Sequence, residues 1–113
     1  MAQGTVVLFT AATIGRGDDE LGAVLTRNFL RMLRDTEPRP ATVLFMNSAV
    51  FLTTEGTPVL EEVATIAEAG VELLSCGTCL DYFKLREKVV AGRASNMGEI
   101  YLRLHAAGKV ITV

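Results

Sequence analysis

The sequence predicts an α/β fold: a mainly parallel five-stranded sheet with helices on both faces, three layers deep, over residues 1–113 as one domain. Three observations predict it. Short β-branched apolar runs alternate with segments of helical period along the chain. Half of the 113 residues are apolar and 21% are charged, which supports a core and argues against disorder. No repeat, low-complexity tract or linker divides a length that suits one domain.

The first strand is Thr5–Thr10 (TVVLFT), β-branched and aromatic, with glycine on either side. The turn GRGDDELG follows, where Asp18 or Asp19 caps a helix. In that helix Leu21, Val24, Leu25, Asn28, Phe29, Met32 and Leu33 share one spacing, with Arg27, Arg31, Arg34 and Asp35 opposite. EPRP ends it. The second strand is Ala41–Asn47 (ATVLFMN), followed by a loop, SAVFLTTEG, with one helical turn. Thr57 caps the next helix, with Pro58 at its first position. Leu60, Val63, Ile66 and Ala67 face inward, and Gly70 stops it.

Val71–Ser75 (VELLS) is the third strand. A short helix in LDYFKLREKVVAGRA precedes a weak edge strand near Val89–Ala91. Asn96 and Glu99 form a capping pair for a last helix through His105. KVITV closes the sheet. In such sheets chemistry sits beyond the carboxyl ends of the strands. That gathers AATIGRGDD, NSAVFLTTEG and SCGTCLD along one edge.

Composition removes several function classes. Net charge is −2 without a basic stripe, and there is no Trp, so a nucleic-acid surface is not expected. No run approaches the ~20 apolar residues of a membrane span. The start lacks the charged region of a secretory signal. The two cysteines are too few for a disulfide framework, and a reducing cytoplasm is expected.

Cys76 and Cys79 are the candidate catalytic residues. Cys76 follows a strand and precedes a helix, where amide donors and the helix dipole favour a thiolate. Gly77 leaves room for a second sulfur, and Thr78 lies between the thiols. Asp81 opposes ionisation. The competing readings are a dithiol switch and two small thiols filling space under a turn. Zinc needs four ligands, and C-x-x-C with the single His105 supplies too few within one chain. No metal or other cofactor is expected.

Arg16 and Gly17 stand in GRGDD, where no P-loop or G-x-G-x-x-G pattern exists. Arg16 is a candidate for holding an anionic sulfur or selenium substrate. Asn47 and Ser48 either satisfy turn amides or face the reactive sulfur. The apolar Ala49–Leu52 supports a third reading, a non-catalytic oligomeric adaptor.

GRGDDELG, FMNSAVFLTTEG, GVELLSCGTCLDYFKL and GRASNMGEI occur in this order over nearly the whole chain. With them the sequence resembles the DsrE/DsrF-like sulfur-relay family, and most of all the DsrE-like half of YedF-type selenium metabolism proteins. The resemblance implies a flavodoxin-like three-layer fold of five strands and homotrimers or hexamers. It implies a sulfurtransferase-like carrier in which Cys76 holds sulfur or selenium as a persulfide. Cys79 is then a resolving or supporting thiol. The implied partner is a sulfur-donor or acceptor protein such as a TusA-like carrier.

Overall fold

The computed structural model describes residues 4–113. Its strands are β1 Thr5–Phe9, β2 Thr42–Phe45, β3 Glu72–Cys76, β4 Arg93–Ser95 and β5 Lys109–Thr112. The helices are α1 Asp19–Asp35, α2 Leu60–Glu68, α3 Gly77–Tyr82 and α4 Met97–Ala106. All strand pairs are parallel, in the order β4-β3-β2-β1-β5. The expected fold class is the observed one.

Crossover handedness decides which helix covers which face. From β1 to β4 each connection steps to the next strand in one direction, so right-handed crossovers put α1, α2 and α3 on one face. The last connection runs back from β4 to β5, and the same rule puts α4 alone on the other. The buried clusters agree. Leu30, Val63, Ile66 and Leu80 pack on Val7, Phe9, Val43, Phe45 and Leu73. On the opposite face Ile100 packs with Val6, Leu8, Leu44, Leu74 and Cys76. Alternation along each strand divides the residues between these faces.

Several local expectations are corrected. The stripe expected to bury α1 is largely exposed: Leu21 is 56% and Met32 60% accessible. Gly22, Thr26 and Leu30 are buried instead, with Phe29 and Leu33 packing beside them. Polar geometry fixes this rotation. Thr26 donates to the Ala12 carbonyl at 2.9 Å, and the Ile14 amide donates to the Gly22 carbonyl. Arg31 turns to Glu62 of α2 at 3.1 Å. Secondly, α2 starts at Leu60, because the Thr57 hydroxyl accepts from the Val59 amide and holds Pro58 in a turn.

The third correction concerns the edge strand, which is Arg93–Ser95 and not Val89–Ala91. Val89 instead bridges Thr54 in antiparallel fashion. Gly92, at φ +72, then turns the chain so closely against the Leu73 carbonyl that no side chain fits there. Only beyond it can the backbone pair with Leu74–Cys76.

Asn96 caps α4 by accepting the Glu99 amide at 2.8 Å. The Glu99 carboxylate does not reach back as a capping box would. It takes two bonds from Arg93, at 3.0 and 2.6 Å, and one from the Ser95 hydroxyl. Arg103 binds Glu72 at 2.8 and 2.9 Å, and Thr42 donates to Glu72. These bonds strap α4 to its sheet face.

Arg93 first, and Ser95 next, pull the Glu99 carboxyl from its ordinary 4.5 down to about 2. Arg103 likewise lowers Glu72. A depressed carboxylate contributes stability above its unfolded pKa and loses it as pH falls through the folded value. Stability should therefore decline as pH falls from 4.5 to about 2. Glu99→Gln should flatten that decline in a urea-midpoint titration, and an unaltered pH profile would count against the strap.

Candidate functional site

The parallel sheet brings the loops after β1, β2 and β3 to one end, and hydrogen bonds join them. The Ala12 amide donates to Ser48 Oγ at 3.0 Å. Thr53 and Ser75 hydroxyls bond at 2.7 Å in the interior. The Asn47 amide donates to Cys79 Sγ at 3.1 Å. Asn47 holds φ +55, in the left-handed region that Asn tolerates better than most residues. That turn opens a 3-10 helix, Asn47–Leu52, in which Ala49, Val50 and Leu52 are buried and Phe51 is its exposed apolar side chain. The apolar loop is therefore mostly core, which removes the support the adaptor reading drew from it.

Cys76 is the last residue of β3, paired with Ser95, and also the N-cap of α3. Its side chain falls on the α4 face beside Leu74 and Ile100, and it is 1% exposed. An accessible thiol was expected there. Strand alternation and the pairing with β4 bury it instead.

Cys79, on the first turn of α3, is the half-buried thiol. It packs against both core clusters and lines a surface depression of about 410 Å³ with Asn47, Thr78, Tyr82 and Phe83. Burial pushes its thiol up from the ordinary 9.0, and the neighbouring Cys76 sulfur adds to the rise. The Asn47 amide pulls the other way. Both cysteines are free thiols.

The other sequence candidates separate. Asn47 and Thr78 line the depression. Ser48 satisfies the Ala12 amide. Arg16 and Gly17 lie exposed in the loop after β1 and are not in the wall. The space beside Gly77 is already filled: a Cβ there would lie 2.5 Å from the Ser95 carbonyl oxygen and 2.7 Å from Arg86. Gly77 thus serves packing, and its open side is absent. Asp81 is chelated by Arg86 at 2.6 and 3.0 Å. Tyr82 and Phe83 were not anticipated. They lie three and four residues beyond Cys79, the spacing of one helix face. A helix start at Gly77 would have revealed them in the sequence.

The topological reversal of the sheet lies between β1 and β5. The cysteines sit at β3, away from the crevice where such sheets usually bind ligands.

No family model and no curated protein matches the sequence. Solved structures do match. The YchN protein of E. coli superposes with TM-score 0.78 at 18% identity, over 99% of this chain and 100% of that one. MTH1491 of Methanobacterium thermoautotrophicum, a protein of unknown function, gives 0.68 at 20% identity, over 96% and 98%. BT1422 of Bacteroides thetaiotaomicron, a conserved protein of unknown function, gives 0.66 at 12%, over 96% and 94%. At these identities the fold is what is shared. Among the described residues, no helix is long and apolar enough to cross a membrane.

Proposed function

We propose that this protein is a sulfur or selenium carrier of the DsrE-like kind, working through the Cys76–Cys79 pair. The observation that carries the reading is the Asn47 amide aimed at Cys79 Sγ beside an open depression. That amide stabilises an anionic sulfur where a donor can reach it. Cys79 is thus the thiol that meets the donor, in the place the resemblance gives to Cys76. Cys76, buried behind it, is the neighbouring thiol that resolves or protects the loaded state.

Loading is a displacement. The Cys79 thiolate attacks the outer sulfur of a donor persulfide. A new S–S bond forms, and the donor leaves as its thiolate. The reverse attack by an acceptor thiolate takes the sulfur away. A donor or acceptor protein of the TusA-like kind fits this role. The exposed apolar residues of α1 (Leu21, Val24, Leu25 and Met32) support the homotrimer or hexamer that the resemblance implies.

Intact-mass spectrometry after exposure to a sulfane-sulfur donor tests the reading. A gain of about 32 Da is expected. It should persist in Cys76→Ser, vanish in Cys79→Ser, and form faster as pH rises, because the Cys79 thiol is raised. A gain lost only in Cys76→Ser would return the carrier role to Cys76. Loss of two hydrogens needing both cysteines, without sulfur gain, would replace the carrier with a dithiol switch.

A further inference from the structure

The depression beside Cys79 is walled by Asn47, Thr78, Tyr82 and Phe83, and no cation is among them. Tyr82 and Phe83 share a helix face with Cys79. Their rings are perpendicular at 5.1 Å, and Phe83 is braced by Phe51 at 4.7 Å. The cations nearby in the sequence, Lys84, Arg86 and Lys88, line a separate hollow of about 470 Å³ together with Glu55, Asp81 and Glu87. Arg86 is bound to Asp81, and Lys88 is 3.9 Å from Glu55. Basic and acidic groups therefore balance each other in that hollow, and none of them lines the depression.

We propose that this site takes uncharged sulfane-sulfur donors with an apolar substituent, and discriminates against thiosulfate and similar oxyanions. As a statement about sulfur donors it rests on the carrier reading above. A dianion entering the depression would lose water with only neutral donors around it, the Asn47 amides and the Thr78 and Tyr82 hydroxyls, and no cationic side chain to pair with. An apolar substituent instead covers the Tyr82 and Phe83 rings and leaves the outer sulfur at Cys79. The step is R–S–SH plus Cys79–S⁻ giving Cys79–S–SH plus R–S⁻. The bond between the two donor sulfurs breaks and the leaving thiolate takes its electron pair. With thiosulfate the leaving group would be sulfite, and no side chain of the wall would neutralise it.

Two readouts test this on the whole chain. The first is the rate of mass gain at Cys79 with benzyl hydropersulfide against thiosulfate. The second needs no sulfur transfer: alkylation of Cys79 by N-benzyliodoacetamide against iodoacetate, with the ratio divided by that of glutathione. Both ratios should favour the neutral apolar reagent by about tenfold, which corresponds to roughly 1.4 kcal/mol. Tyr82→Ala should collapse the preference. Thr78→Arg, which adds a cation to the wall, should shift it toward the anions. A normalised alkylation ratio near one, or thiosulfate loading as fast as the hydropersulfide, would overturn the proposal. If neither donor loads while the alkylation preference holds, the carrier reading falls and the ligand class stands.

Discussion

Gly77→Ala is expected to cost roughly 2 to 3 kcal/mol and to unseat α3, because the added methyl overpacks a closed contact. The Cβ would lie 2.7 Å from Arg86, which can move, and 2.5 Å from the Ser95 carbonyl oxygen, which cannot move freely. Ser95 belongs to β4 and pairs with Cys76, so relief requires β4 to separate from β3 or α3 to lift. Separation of β4 uncovers Cys76, and lifting of α3 carries Cys79 away from the Asn47 amide. The variant should unfold at lower urea, and its Cys76 should react with iodoacetamide while the wild-type residue stays protected. Thr78→Ala, one residue along and exposed, should leave the midpoint nearly unchanged. A Gly77→Ala midpoint equal to wild type would show that the contact yields without cost.

The second large effect belongs to the core beneath the site. Phe9→Ala should destabilise by roughly 3 to 5 kcal/mol, the usual range for emptying a buried aromatic site. Phe9 is fully buried and stacks on Phe45 with ring centres 5.5 Å apart. It also meets the edge of Phe29 at 5.9 Å, so one ring ties β1, β2 and α1 together. For a domain whose whole stability is of order 5 to 15 kcal/mol, that loss is a large share. Denaturant unfolding should show a lower midpoint with an unchanged slope. Leu102→Ala, at a side chain 59% exposed, serves as the control and should shift little. A Phe9→Ala loss below about 1.5 kcal/mol would mean that neighbouring side chains collapse into the space.

The two variants probe different links. Gly77→Ala acts at the junction of β3, β4 and α3 that holds the thiols, whereas Phe9→Ala acts where β1, β2 and α1 meet. Reactivity of Cys79, read beside stability, separates a damaged site from a weakened fold.

Much was legible in the residues themselves. Thr5–Phe9, Thr42–Phe45 and Glu72–Cys76 fall within or beside the apolar runs that announced strands. Such runs are local: β-branched and aromatic residues in short uninterrupted blocks need both faces covered. The cap at Asn96 was equally local, as was one at Asp18 or Asp19, of which Asp18 serves; each capping side chain accepts an amide three residues on. The parallel class followed from alternation, and with it the gathering of three loops at one sheet end.

What the chain could not announce was set by distant partners. The buried side of α1 depended on Ala12, Ile14 and Glu62, not on its own apolar period. The edge strand depended on the tight passage of Gly92 along Leu73. Above all, sequence placed two thiols at a strand end, and only the tertiary structure gave them different exposure. Pairing with β4 and cover from α4 bury Cys76, while the turn at Asn47 aims an amide at Cys79. Strand pairing and helix cover join residues far apart in the chain, so their effect on access and charge appears only when the sheet is assembled.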